Sequence, residues 1–403
     1  MKTEALQFTN SEGHRLSAKL DLPGVGKPRA YALFAHCFTC GKDLKAVVQI
    51  AEALTGRGIG VLRFDFPGLG QSEGQFGEST FSSNVDDLYR AAVFLEDVTG
   101  EGPQILIGHS LGGAAVLRAA TLMDSVRAVA TIGAPADPAH VTHLLSGQLE
   151  EIKEKGEAKV SIARREFLIK QEFVDDLENT STEEATGRLN KALLIFHSPI
   201  DEIVGIENAG RIYDRAKHPK SFVSLDDADH LLSRESDSHY VGQTIAAWSD
   251  RYLDEAESIE NSDKTIVRLD GKGFRSDVLA GGHRLVADEP ISVGGTDLGP
   301  APYDLLTASL GACTAMTLRM YADHKQWPLT AVEVHLQHEK IPAKDCEDCE
   351  TAEGEVDVIK RVLILEGNLT EEQRERITAI ADKCPVHRTL DSEVKIKTEL
   401  RNG

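Results

Sequence analysis

Ile105-Leu106-Ile107-Gly108-His109-Ser110-Leu111-Gly112-Gly113 is a short apolar run that breaks into a small-residue turn and continues through Ala114 and Ala115 into a helical pattern. The order is strand, turn, helix, and the turn reads G-x-S-x-G. Glycines flanking Ser110 let the backbone bend sharply, so that the hydroxyl stands free at the end of a strand. A serine hydroxyl at its ordinary pKa is a weak nucleophile. It needs a base, and the base needs an acid to hold it.

The surrounding chain supplies a scaffold for such partners. Residues 1–24 read as a hairpin about the turn Ser11-Glu12-Gly13. A buried strand is expected at 30–36, a helix at 42–57 and a strand at 60–65, which runs into the glycine-rich turn Pro67-Gly68-Leu69-Gly70. Helix 82–98, strand 104–107, helix 111–123 and strand 127–132 follow. Strands alternating with helices imply a mostly parallel, doubly wound sheet. After Pro135 the alternation stops, and residues 138–187 are charged and amphipathic, with Phe167, Leu168, Ile169, Phe173, Val174 and Leu177 as the apolar stripe. That stretch is expected to form an all-helical cap over the strand ends, being longer than an ordinary crossover. Strand 192–196, helix 205–217, strand 221–225 and helix 240–255 then close the first domain.

Catalytic groups in such sheets gather at the carboxyl ends of the strands. Asp201 follows the strand ending at Phe196, and His230 follows the one ending at Leu225. Ser110, Asp201, His230 is the chain order nucleophile, acid, base. Asp226, Asp227 and Asp229 compete with Asp201 for the acid, but they share the histidine's own loop. His109, His36, His197 and His140 are read as packing or loop histidines. The oxyanion of a tetrahedral intermediate needs two amide donors, expected at Leu111 and at Phe38 in the loop after the strand 30–36.

On these residues, 1–255 resemble the α/β-hydrolase family, in its capped esterase and serine-aminopeptidase-like form. The resemblance implies cleavage of a small acyl ester, thioester or amide through an acyl-enzyme, with no cofactor. It also shows one departure: Cys37 stands where the family has a Gly after the oxyanion-strand His. Cys37 and Cys40 bracket Phe38, so a disulfide between them would move the second donor.

Residues 256–263 are polar and charged and are read as a linker. Beyond them the pattern changes. Strands are expected at 265–269, 278–286, 332–338 and 358–365. A long, nearly all-apolar helix is expected to lie buried at 303–321, and a second helix at 370–382, opened by the capping box Thr370–Gln373. This is an α+β arrangement. Cys313 lies inside the apolar helix and Cys384 opens Cys384-Pro385-Val386.

Asp288-Glu289-Pro290, Gly294-Gly295, Gly299-Pro300, Tyr303-Asp304-Leu305-Leu306, Gly311-Ala312-Cys313 and Cys384-Pro385-Val386 together resemble the OsmC/Ohr family over about residues 265–400. The resemblance implies a smaller OsmC-like domain at 264–403 that forms an intertwined homodimer. It implies reduction of an organic hydroperoxide, with Cys313 as peroxidatic thiolate, Cys384 as resolving thiol and a dithiol as reductant. An arginine of the first hairpin would activate the thiolate; Arg275 is the best match and Arg284 the next. The family's Glu falls at Tyr303 here, so Asp304 or Glu289 would have to take its place. The alternative reading keeps an esterase or acyltransferase and makes this domain a dimerisation or ligand-binding module.

Cys346 and Cys349 form a C-x-x-C in an acidic loop, where neighbouring carboxylates disfavour a thiolate. With His335 and His338 they could make a zinc tetrad, but strand residues three apart face opposite ways; no metal is assigned. The formal charge of −21 argues against nucleic acid or an anionic membrane as partner. With no apolar leader and no spanning run, the expected location is the cytoplasm.

Overall fold

The computed structural model describes all residues except 38–39, 146, 163–164, 254–263, 272, 347–352 and 402–403. The expected linker 256–263, the oxyanion candidate Phe38 and Cys349 therefore lie outside the described residues. Two compact units are present, the first comprising Met1–Lys272 with Ser276–Leu285, the second Gly273–Arg275 with Val286–Gly403.

In the first unit the elements are β1 (Lys2–Thr9), β2 (Arg15–Leu22), β3 (Ala30–Ala35), α1 (Lys45–Gly56), β4 (Ile59–Phe64), α2 (Phe81–Thr99), β5 (Ile105–His109), α3 (Leu111–Ala119) and β6 (Ala128–Ile132). An insertion follows with α4 (Leu149–Lys155), β7 (Glu157–Ile162), β8 (Arg165–Lys170), α5 (Gln171–Asn179) and α6 (Thr182–Arg188). The layers close with β9 (Ala192–His197), α7 (Glu207–Arg215), β10 (Lys220–Ser224) and α8 (Glu235–Ser249). The main sheet runs β1-β2-β4-β3-β5-β6-β9-β10. It is antiparallel at the β1-β2-β4 edge and parallel from β4 to β10.

The period-2 alternation of the central strands builds the core on both faces. Leu33, Leu106 and Val129 pack toward α2 and α3, while Phe34, Ile105 and Ile107 pack toward α1 and α8. The chain winds one way from β3 to β4 and the other way from β4 to β5. The carboxyl ends of β3 and β5 thus form a switch point, where the two connections leave a crevice.

The insertion is mixed rather than all-helical. Gly156 takes a left-handed conformation that stops α4, and β7 and β8 then pair as an antiparallel hairpin. Phe167, Leu168 and Ile169 sit on β8, not on a helix. The alternation in Glu157-Ala158-Lys159-Val160 is the strand signal, with Ala158 and Val160 buried. Phe173, Val174 and Leu177 do form the helical stripe expected of them, on α5.

One buried carboxylate makes the first unit pH-sensitive. Asp87 of α2 is 2% exposed and accepts a hydrogen bond from Asn10 Nδ2 at 2.9 Å, while its Oδ2 has no partner. Burial, opposed by Asn10 and reinforced by Glu12 and Asp86, pushes its pKa from 3.8 up to about 7. The folded state holds this proton more tightly than the unfolded chain. The contribution to stability is therefore full below the unfolded value and is lost as pH rises through about 7. Asp87→Asn keeps the acceptor for Asn10 and removes the charge. It is expected to stabilise the protein at about pH 8 by roughly 2 kcal/mol and to flatten the pH dependence of the urea midpoint. A variant no more stable than wild type at that pH would count against the assignment.

The remaining elements are β11 (Ile266–Leu269), β12 (Ser276–Ala280), β13 (His283–Ala287), α9 (Pro302–His324), β14 (Leu329–Pro342), β15 (Glu355–Gly367), α10 (Glu371–Ala381) and α11 (Pro385–Leu390). β11, β12 and β13 form a small sheet. Residues 276–285 group with the first unit because Arg284 donates to the carbonyls of Val25 and Lys27. β14 and β15 form one long antiparallel ribbon. Thr370 and Gln373 exchange the two hydrogen bonds of a capping box at the start of α10. α9 buries Leu310, Thr314, Leu318 and Ala322, a stripe at i, i+4, i+8 and i+12. The other side of this helix is open, with Met316 66% and Met320 72% exposed. The expectation of a fully buried helix is thus corrected: one chain covers one face of it. None of the described helices is long and apolar enough to cross a membrane.

Candidate active sites

β5 delivers Ser110 to the switch point. Its φ of 56° and ψ of −127° fall where a side-chain-bearing residue is strained by about 1–3 kcal/mol. The strain is held by Ser110 N–H donating to Ile132 O at 2.8 Å and Gly113 N–H donating to Ser110 O at 2.8 Å. The neighbouring glycines are required by close approach. A Cβ on Gly108 would strike the Gly112 carbonyl, and one on Gly112 would strike the carbonyls of Ala35 and His36.

Two turns bring an acid and a histidine together. Asp201 Oδ1 accepts from the amides of Ile203 and Val204, both at 2.9 Å. This leaves Oδ2 for His230 Nδ1, at 2.7 Å. A carboxylate only accepts, so His230 carries its proton on Nδ1 and presents Nε2 bare. Burial pushes the Asp201 carboxyl up, but the bond from His230 and the two amides outweigh it and hold the pKa below the usual value. Gly133 lies against the pair; a Cβ there would sit 3.1 Å from Asp201 Oδ2 and 3.3 Å from His230 Nδ1. Two of the three competing acids are engaged elsewhere. Asp227 forms a two-pronged pair with Arg234, and Asp229 caps the Ser233 amide.

His109 is buried and donates from Nε2 to His230 O at 2.6 Å. Burial, then the nearby His230, drives its pKa down to about 3, so it stays neutral and fixes the histidine loop. His197 Nε2 donates to Val204 O at 2.7 Å, bracing the acid turn. His36 lies under the loop after β3, with Nδ1–H donating to Cys37 O at 2.7 Å. Burial lowers its pKa, consistent with a packing histidine.

Cys37 and Cys40 are joined by a disulfide across that loop, with Cα atoms 5.3 Å apart. The loop's far end is held by a buried charge cluster that the sequence does not announce. Asp65 accepts from Lys42 N at 2.7 Å and Lys42 Nζ at 2.5 Å, and from Gln71 N at 3.0 Å. Arg63 pairs with Asp21 at 2.5 Å and also donates to Lys42 O. Removing one member would strand a buried charge, which typically costs about 3–5 kcal/mol. Leu111 opens α3, where the first helical amides lack intrahelical acceptors. Beside it is a small cavity walled by Phe66, Leu69, Phe76 and Phe81, with the carboxamide of Asn84. Phe167 and Phe173 of the insertion pack on Phe76, with ring centroids 5.1 and 6.3 Å away.

In the second unit the two free cysteines of the described residues meet. Cys384 is fully buried and Cys313 half-buried. Cys384 Sγ receives His387 N–H at 3.3 Å and lies 3.6 Å from Thr314 Oγ1. Burial alone would raise this thiol's pKa, but His387 N–H, Thr314, Cys313 and the charge of Arg361 outweigh it and lower the pKa. Arg361 Nη1 donates to Thr314 Oγ1 at 3.3 Å and to Ala381 O at 3.2 Å; Nη2 pairs with Asp382 at 2.5 Å.

The other expected thiol-site residues are placed differently. Arg284 is spent on backbone carbonyls, as above. Arg275 has its Nε buried without a hydrogen bond. Asp304 caps its own helix by accepting from Ala301 N at 3.0 Å. Asp288, next to Glu289, organises the loop before α9 through the amides of Glu289, Thr296 and Leu298. Tyr303 stacks on His338 at 4.1 Å, and His338 binds Asp357 at 2.8 Å. His335 binds Glu333 at 2.7 Å, and Cys346 is disulfide-bonded. No metal-ligating group of three or more residues occurs among the described residues.

Residues 26–179 match the family model described as Serine aminopeptidase, S33, and residues 295–399 match that described as OsmC-like protein. The mitochondrial palmitoyl-protein thioesterase ABHD10 of Mus musculus is 32% identical over 206 residues, covering 49% of this chain and 68% of that protein. The crystal structure of the esterase domain from a Rhodothermus marinus protein is 50% identical, with a TM-score of 0.53, covering 63% of this chain and 100% of that one. The structure of alpha/beta hydrolase domain-containing protein 10 from mouse is 26% identical, with a TM-score of 0.52, over 62% of this chain and 99% of that one.

Proposed function

The chain belongs to the α/β-hydrolase family and carries an OsmC-like domain, and from that premise we propose a serine hydrolase of esters or thioesters joined to a thiol peroxidase. The observation that carries the first half is the 2.7 Å bond between Asp201 and His230, set beside a serine held in a strained turn. Ser110 attacks the acyl carbon while His230 Nε2 takes its proton. Asp201 fixes the tautomer and stabilises the imidazolium that forms. The alkoxide or thiolate leaves with that proton, and water then releases the acyl group by the same route. Leu111 N–H and the amide of Phe38 are the proposed oxyanion donors.

Support for the second half is the meeting of Cys313 and Cys384 in one unit. The accessible Cys313 thiolate attacks the peroxide oxygen, the O–O bond breaks, and an alcohol leaves once its alkoxide is protonated. Cys313 is left as a sulfenic acid. Cys384 then forms the disulfide and expels water, and a dithiol restores both thiols. The open apolar side of α9 supports a homodimer through this domain, because an exposed stripe of that kind marks a contact surface. The module reading stands as the second choice, because Arg284 is bound to the carbonyls of Val25 and Lys27 and Asp304 to the Ala301 amide.

The test of the first half is a series of p-nitrophenyl esters and acyl thioesters, from acetyl to palmitoyl. Saturable hydrolysis with a preference among acyl chains is the expected result. An absence of turnover across both series would overturn the reading.

A further inference from the structure

The resolving step needs more than two cysteines near one another. Cys384 is fully buried, and a buried thiol ordinarily stays protonated and inert. Two groups bring hydrogen-bonding atoms to its sulfur, and a third stands behind one of them. His387 N–H points at it from one turn ahead. The Thr314 hydroxyl lies at 3.6 Å from the helix that also carries Cys313. Behind that hydroxyl stands Arg361 Nη1, at 3.3 Å from Thr314 Oγ1. The guanidinium is 14% exposed in its side chain. It cannot deprotonate, and as a donor it forces Thr314 to accept from it and to direct its own hydrogen toward sulfur.

We propose that Arg361, acting through Thr314, is the positioning residue that keeps Cys384 as a thiolate ready to resolve an oxidised Cys313. The word "resolve" rests on the peroxidase reading above; the charge assignment does not. In the step, Cys384 S⁻ attacks the sulfur of the Cys313 sulfenic acid. The S–S bond forms, the S–O bond breaks, and hydroxide leaves and takes a proton to become water. The two electrons that later cleave the disulfide come from a dithiol. A resolving thiol that is already ionised shortens the life of the sulfenic acid and so protects Cys313 from a second peroxide. Arg361 reaches this place because β15 alternates: its side chain faces α9 and α10, while Lys360 and Val362 point away. The charged and titratable groups around the sulfur are Cys313 on α9, Arg361 on β15, Asp382 after α10, and Lys383 and His387 on either side of Cys384. Asp382 holds Nη2 and leaves Nη1 for Thr314.

The full-length chain allows the charge assignment and the peroxidase reading to be tested separately. In the Cys313→Ser background, thiolate absorbance at 240 nm is titrated against pH and corrected by the Cys313→Ser, Cys384→Ser double variant. The Cys384 midpoint is expected below that of an ordinary thiol, about 8.5. Arg361→Gln and Thr314→Val should each raise it by about one pH unit, and Arg361→Lys should restore part of the shift. Unchanged midpoints in both Arg361→Gln and Thr314→Val would overturn the proposal. A cumene hydroperoxide pulse on the chain with both cysteines present then reads the peroxidase reading itself. With Arg361→Gln, disulfide formation near pH 7 should slow by about tenfold, and sulfinic acid should accumulate on Cys313. If Cys313 is never oxidised in the wild type while the midpoints still shift, the peroxidase reading fails and the Arg361 assignment stands.

Discussion

Replacing Ser110 with Ala is expected to lower ester hydrolysis about a million-fold, and Asp201→Asn about ten-thousand-fold, without unfolding the first unit. The two losses have different causes. Ser110→Ala removes the nucleophile and leaves only the amide donors and the binding surface. Asp201→Asn keeps a side chain of the same shape between the Ile203 and Val204 amides and His230. Its carboxamide can present an N–H where the imidazole needs an acceptor, so His230 is pushed to the wrong tautomer. Losses of these sizes in kcat, with circular dichroism and urea midpoint close to wild type, would fit the assigned roles. A loss of less than tenfold for Ser110→Ala would remove Ser110 from the chemistry.

The second large effect is on the other unit. Cys313→Ser is expected to abolish consumption of organic hydroperoxide and to leave ester hydrolysis within about twofold of wild type. A serine hydroxyl cannot take the peroxide oxygen as a thiolate does. The two sites draw their residues from separate units of the chain, so one chemistry should be lost without the other. Peroxide consumption that persists in Cys313→Ser would favour the domain as a dimerisation or ligand-binding module.

The α/β fold was legible because its central strands are mostly apolar and its helices amphipathic, with glycines where the elbow needs them. Ser110, Asp201 and His230 stand out in the sequence because each follows a strand end, where such sheets gather catalytic groups, and the structure brings Asp201 and His230 into contact. The cap was half legible. Phe173, Val174 and Leu177 carry a helical period, but Phe167-Leu168-Ile169 is a run of three apolar residues that fits a strand or a helix equally well. Only the alternation in β7, 157–162, discriminates, and it is short.

Other features had no local signal. Arg361 stands beside Lys360 in a strand of mixed polarity, and which of the two turns inward depends on which face of β15 meets α9. The Lys42–Asp65 and Arg63–Asp21 pairs are formed between residues distant in sequence; charged residues are ordinarily read as solvent-facing. Arg284 lies in the hairpin where the resemblance places a thiolate-activating arginine, yet it is bound to the carbonyls of Val25 and Lys27. The long helix α9 reads as buried because nearly every position is apolar, although one chain covers only the Leu310–Ala322 stripe.

The most direct test of a nucleophilic Ser110 is covalent labelling of the full-length chain with a fluorophosphonate, read by peptide mass spectrometry. One adduct per chain is expected, on the peptide containing Gly108-His109-Ser110-Leu111-Gly112, and none after Ser110→Ala. A chain that hydrolyses esters yet leaves Ser110 unlabelled, or that carries its label on another residue, would contradict it.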